Sequence, residues 1–232
     1  MNDIKLEYRL LQKDLVKVVL VSMILPVLNM IIYSKNETLS SHISSADAVI
    51  LLFGSVKHFI MNWIYWIVFC VGYIFLLQVI WKPHIHMFHI NQLLRHKSTS
   101  RFWMTKLLSG FLFTCFYVCC ALFVALMFCW FFKTANILDP IWLLAFVCLV
   151  INLYFHSVLW LLLKIYSMVE VANVVILALF YAGVQLANPF LPLYYGMFSH
   201  LQSLTFTFMI ECLLIMFMGL LILRKAKKMD YH

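Results

Sequence analysis

Two groups of side chains in this sequence have chemistry that binds or moves something. The first is a set of four histidines, His84, His86, His89 and His96, crowded into one short basic stretch. Imidazole is the commonest transition-metal ligand, so a metal centre is the first reading to weigh. Ligands carried by a helix need offsets of three or four residues, which only His86 and His89 satisfy. His84 precedes the expected helix, and no Cys or carboxylate stands near enough to complete a tetrahedral set. No metal is expected here, and the histidines read instead as part of a weakly basic, protein-contacting helix.

The second group is Glu211 with two candidate neighbours, Asn152 and His156. Glu211 is the one formally charged residue well inside a long apolar run, Lys17 lying at the edge of the first. At 1.5 Å per residue it lies roughly 10 Å from the run's outer edge. A lone carboxylate at that depth is costly and normally faces protein or a water-filled cavity. Asn152, and less favourably His156, lie at similar depth on another run. Two roles remain open for Glu211: a residue lining a path through the membrane, or a hydrogen-bonded tie between helices.

No catalytic residue is expected. None of the six glycines is followed by lysine, so no Gly-x-x-x-x-Gly-Lys-[Ser/Thr] loop exists to cradle nucleotide phosphates. His-Glu-x-x-His, Gly-x-Ser-x-Gly and the paired carboxylates of an intramembrane protease are also missing.

The elements that must position these residues are six apolar runs, at about 15–33, 59–81, 107–132, 141–163, 171–187 and 204–223. Each is close to the roughly 20 residues that cross a bilayer as helix. Of the 232 residues, 65% are hydrophobic and 11% charged, against about 25% charged in a soluble protein. The expectation is an all-α polytopic membrane protein, a single transmembrane domain over 1–232.

Charge assigns the sides. Of the 17 Lys and Arg residues, all but Lys35, Lys57 and Lys133 fall in the N-terminus, the second and fourth connections, or the C-terminus. Cations are retained on the cytoplasmic face during insertion, so both termini should lie inside. The net charge of +8 then reflects orientation and anionic inner-leaflet lipid, and no nucleic-acid partner is expected.

Residues 1–14 are too acidic for a signal-peptide n-region, and no small-residue cleavage site follows. Ile4, Tyr8, Leu11, Leu15 and Val18 recur at helical spacing beside a stripe of Lys5, Arg9, Lys13 and Lys17. This predicts an amphipathic helix lying at the inner interface. The second connection, 82–105, opens with Lys82-Pro83, which ends the preceding helix. A short helix from about Ile85 to Leu94 should follow, carrying His86, His89 and Gln92. A basic hinge that includes Lys97 then runs from His96 to Arg101, with Arg95 just before it, and Phe102-Trp103 anchors the next span.

All seven cysteines fall inside apolar runs without a Cys-x-x-Cys pair, and they read as small hydrophobes. Asn62, Gln78, Asn173 and Gln185 read as ties between helices. The fifth connection, 188–203, is external, uncharged, aromatic and interrupted by Pro189 and Pro192. A segment dipping back into the outer leaflet is expected, with protein shielding its backbone.

Taken together, the interface helix, the six runs with both ends inside, the basic helical loop and the proline-broken external segment resemble the permease subunit of an ABC exporter. The stretch from Leu94 to Leu108 is similar to the start of the third helix in small Gram-positive permeases that export or expel lantibiotics and related peptides. The resemblance implies a bacterial cell-membrane protein with no cofactor of its own, the ATP and Mg being held by a separate ABC ATP-binding subunit. That subunit would seat on His86, His89, Gln92, Arg95, Lys97 and Arg101 and on the interface helix. A second permease chain, identical or related, would complete an exporter of an amphipathic peptide, for export or for immunity. The 17% aromatic content and 13 Met fit an adaptable apolar path. The alternatives are a membrane immunity or sensor subunit that does not transport, and a secondary transporter, which would want more ionisable groups at the midplane.

The charge pattern makes a direct prediction. Alkaline phosphatase fused after His232 in a bacterial host should be inactive, and the same enzyme inserted within 188–203 active; the reverse pattern would overturn the orientation.

Overall fold

The computed structural model describes residues 16–28, 30–31, 44–57, 60, 62–81, 99–132, 139–186, 188, 191–198 and 204–229. Among these, all regular structure is helical. The helices are α1 (Val16–Leu28), α2 (Ser45–Phe53), α3 (Asn62–Trp81), α4 (Thr99–Phe132), α5 (Ile141–Tyr166), α6 (Val169–Leu186), α7 (Leu193–Gly196) and α8 (Leu204–Met229). Four of them, α3 to α6, are long and apolar enough to cross a membrane, so the chain is a membrane-embedded helical protein. The sixth apolar run lies within α8. The described helix of the first run, α1, is shorter than the expected span.

Local chemistry explains the ends. Asp139 accepts from the backbone N–H of Ile141 at 3.1 Å and opens α5, as an acid does for the orphan donors of a helix start. Ser167 closes α5 by donating its backbone N–H to Leu163 at 2.7 Å. Only Ser167 and Met168 separate α5 from α6, which forces the two to run antiparallel as neighbours.

Two stretches differ from the sequence expectation. Thr99, Ser100 and Arg101, expected in a hinge, form the first turn of α4, which then continues for 34 residues. Neither Gly nor Pro interrupts 99–109, and the Thr105 and Ser109 hydroxyls return to the carbonyls of Arg101 and Lys106 at 3.0 Å each. Nothing therefore breaks the helix before the apolar run takes over. The other difference is α2, nine residues within a connection where no helix was expected. Ser44 caps it by accepting from the Asp47 N–H at 3.1 Å, and Ala48, Val49, Leu52 and Phe53 are fully buried. Its last carbonyls are not left to solvent. Asn62 Nδ2 donates to Leu51 and Gly54 at 3.2 Å, and Trp66 Nε1 donates to Gly54 at 2.9 Å.

Helix α5 is the centre of the bundle, packed against α2, α3, α4, α6, α7 and α8. Its most apolar stretch is 61% buried, against 28% for α6, which places α6 at the periphery. The large exposed hydrophobics, such as Leu143, Val174, Leu213 and Phe217, are those a lipid environment would cover.

Between α3 and α4 the core is aromatic. Tyr65 stacks on Phe69, and Tyr73 stacks on Phe113. Tyr117 donates to the Phe69 carbonyl at 2.9 Å. Thr114 uses its one proton on the Gly110 carbonyl at 2.8 Å, so Tyr73 is the donor in the 2.6 Å contact with Thr114 Oγ1. Asn173 on α6 ties three helices together, since its Oδ1 accepts from Gln78 of α3 at 2.8 Å and from Trp160 of α5 at 2.7 Å. Gln185, by contrast, is exposed near the end of α6.

Asn173→Leu should cost about 1–3 kcal/mol, because two donors lose their acceptor at once and interhelical bonds in membranes average near 0.6 kcal/mol each with larger extremes. Unfolding of the purified protein in mixed micelles measures this, and an unchanged midpoint would remove Asn173 as a tie.

Candidate functional site

The α5–α8 contact is the most extensive in the bundle, and Glu211 lies in it. Along α8, Glu211, Met218, Ile222 and Ala226 are buried, at offsets of seven, four and four that keep them on one face. Met209, Leu213, Met216 and Leu220 occupy the opposite, exposed face. The carboxylate is thus turned into the protein and is 7% exposed. Sequence alone did not orient this helix, whereas the packing does.

Asn152 faces it from α5. Its Nδ2 donates to Glu211 Oε1 at 3.0 Å and to the Pro192 carbonyl at 2.7 Å. One amide therefore joins α5, α8 and the connection that carries Pro192. Asn152 lies roughly 16 Å along α5 from Ile141, so the chain around Pro192 reaches well down the bundle. The connection folds back against α5 and α6, burying Leu193, Met197 and Phe198. Small residues make room for it. A Cβ on Gly183 would stand 2.7 Å from the Leu193 Cβ, and one on Gly196 would stand 2.7 Å from Asn152 Cγ and Oδ1.

His156 sits one turn further along α5 and does not bond Glu211. Its Nδ1 lies 2.8 Å from the Asn152 carbonyl. A carbonyl can only accept, so Nδ1 carries the proton and Nε2 presents a lone pair. That lone pair is buried and has no hydrogen-bond partner. The ring packs on Phe180 at 4.6 Å and edge-on to Phe155 at 5.5 Å. An acid, an amide and a bare imidazole nitrogen thus occupy adjacent positions in a largely apolar bundle. Such an arrangement can hold a polar ligand group or relay a proton.

The other expected site residues are separate from this cluster. Arg101 is exposed in the first turn of α4, and Lys17 is exposed on α1. His86, His89, Gln92, Arg95 and Lys97, with Lys5, Arg9 and Lys13, lie outside the described residues. Among the described residues, no three His, Cys, Asp or Glu side chains come together as a metal site, and all seven cysteines are free.

Sequence reasoning missed the partner carbonyl of Pro192 and the two glycines that admit the segment carrying it. A proline-glycine segment rich in aromatics was the available signal, but its docking depth depends on a contact across 40 residues. Compared with known protein families, with characterised proteins and with solved structures, the chain matches none.

A double-mutant cycle of Glu211→Leu and Asn152→Leu should give a coupling of about 0.6–1.7 kcal/mol, the range for polar pairs in membranes. Gly196→Val should lower the unfolding midpoint, because its side chain meets Asn152. Strict additivity in the cycle would show that the pair does not interact.

Proposed function

We propose that this chain is the membrane-spanning permease subunit of an ATP-driven ABC exporter in a bacterial cytoplasmic membrane. In this reading six helices span the bilayer, both termini and the 82–105 connection face the cytoplasm, and two permease chains pair around the path. A separate subunit binds ATP and Mg. The cargo is an amphipathic peptide, expelled for immunity or exported as a product.

The observation that carries the reading is the length of α4. Its 34 residues extend about 50 Å, while the hydrocarbon core is about 30 Å thick. Roughly 20 Å of unbroken helix is left over, and its basic first turns continue directly from the 82–98 stretch. A rod of that kind carries a push from a cytoplasmic ATPase into the bundle without a hinge to absorb it. Downstream, α4 packs on α5 and α8, and the Asn152–Glu211–Pro192 junction ties those helices to the external segment. Displacement inside would therefore reach the outer face.

A second reading has its own observation. A buried carboxylate whose described hydrogen-bond partner is an amide, next to an unpartnered imidazole nitrogen, favours a proton-coupled secondary transporter. The two readings separate cleanly. Under the exporter reading, an ATPase with a P-loop copurifies with the chain, and Arg95→Glu with Lys97→Glu abolishes stimulation of its hydrolysis. Failure of any ATPase to associate, together with uptake or efflux collapsed by a protonophore at constant ATP, would replace it with the secondary transporter.

Glu211→Gln separates the two roles of the acid. Preserved peptide resistance in Glu211→Gln with loss in Glu211→Leu assigns a structural tie, whereas equal loss in both assigns a charge in the path.

A further inference from the structure

The geometry points to a proton-operated latch, and we propose that the charge on Glu211 decides whether the 191–198 segment is held against α5. The proposal needs only the junction of α5, α8 and that segment, so it stands apart from either transport reading.

The latch is a single amide. Asn152 Nδ2 carries two protons and has two acceptors, Glu211 Oε1 at 3.0 Å and the Pro192 carbonyl at 2.7 Å. A carbonyl and an ionised carboxylate only accept, so the amide meets both only with its nitrogen toward them. Its oxygen then lies against Gly196, where a Cβ would stand 2.7 Å from Oδ1.

Ionised, Glu211 holds that orientation through a charge-assisted hydrogen bond, roughly twice as strong as a neutral one. Reversing the amide would set Oδ1 against two acceptors at once. Protonated, the acid can also donate, and its O–H is then met by Oδ1. The reversed amide becomes allowed, and in it the Pro192 carbonyl faces an acceptor instead of a donor. One proton taken up by the Glu211 carboxylate is the whole exchange.

What the latch holds is a strap whose remaining contacts are apolar and local. Leu193, Met197 and Phe198 are buried, and Leu193 lies over Gly183 of α6. The backbone bonds from Leu191 to Asn188 at 2.9 Å and from Tyr194 to Leu191 at 3.0 Å are internal to the connection and travel with it. Apolar contact brings the strap in, but it is the directional bond to Asn152 that fixes its height.

Helix α8 packs on α5 and α4, and the titratable groups they bring to this level are few. From α5, the Cys148 thiol feels the charge of Glu211, and His156 turns its Nδ1 to the Asn152 carbonyl. From α4, Cys115 stands eight residues from Leu107, as Glu211 does from Gly219, the two positions that meet between these helices. These are thiols and a ring with one bare nitrogen, so the acid is the group that brings charge to the junction.

Hydrogen exchange of the full purified chain in a neutral detergent tests this, with peptides covering 193–198 and α5 read by mass spectrometry and labelling times scaled to the intrinsic exchange rate at each pH. Ionised Glu211 closes the latch, so protection of 193–198 should be high in alkali and fall about tenfold as the acid is protonated, the equilibrium equivalent of one lost hydrogen bond. Helix α5 should keep its protection throughout. Glu211→Gln should abolish the pH step, and Asn152→Leu should leave the segment poorly protected at every pH. Should Glu211→Gln fail to fold, Glu211→Asp keeps a titrating acid and should retain the step with weaker protection in alkali, because its carboxylate falls one methylene short of Asn152. Protection of 193–198 that does not change with pH in the unsubstituted chain would overturn the proposal. So would a step that survives Glu211→Gln, and its loss in His156→Gln instead would place the switch on the imidazole.

Discussion

Hydrocarbon offers no hydrogen-bond partner, so a polar group carried into it is costly unless another part of the protein meets it. In this protein that constraint converges on α5. Trp160 donates to Asn173 of α6, Tyr154 to the Leu107 carbonyl of α4, and Asn152 to both Glu211 of α8 and the Pro192 carbonyl. Ser157 closes on its own helix by donating to the Tyr154 carbonyl. Apolar packing between helices gains little in lipid, where tails are as apolar as leucine. The directional contacts of α5 therefore do more than their small number implies, because they decide which helices neighbour it and at what height.

The same constraint divides the bundle into two polar levels. One is the acid, amide and imidazole group around Glu211, enclosed by apolar side chains. The other is the lysine and tryptophan level where α3 ends and α4 begins. Helix α5 runs through both, Asn152 and Lys164 standing twelve residues apart, or about 18 Å. The basic end of α4 packs on the same helix whose Asn152 donates to Glu211 of α8. The two polar levels are thus joined through one helix.

How much of this was legible beforehand depends on whether the cause was local. The start of α5 after Asp139-Pro140 follows from residues within a turn of the boundary. So does the helical class, which the apolar runs dictate through length alone. The α2 helix was legible in principle, from Ser44 and Asp47 ahead of an apolar stretch, and was passed over because a connection between spans invites no search for structure. Of the basic hinge expected over His96 to Arg101, the described part, Thr99 to Arg101, is helix, because polar, basic residues do not by themselves interrupt one. Depth placed Glu211 and Asn152 at comparable levels, but only packing across 59 residues could bring them into contact. The seat of the Trp81 indole, which donates to the Lys106 carbonyl at 3.1 Å, was invisible, because it depends on the room left by Gly110, 29 positions away.

Stability alone does not account for the Glu211–Asn152 contact. A buried polar pair is often no more stabilising than a well-packed apolar pair of the same volume, and leucines at both positions would hold α5 against α8 as firmly. What they would not do is occupy the Pro192 carbonyl. That group, carried into the bundle by a proline-broken segment, would be left bare, at a cost on the scale of a lost hydrogen bond. With Asn152 present, the amide must lie level with the carbonyl, and Gly196 must lie against the amide. The polar contact consequently fixes the height of the 191–198 segment, which apolar packing would leave free to slide. Its role is register, and Glu211 is the group through which α8 shares in that register.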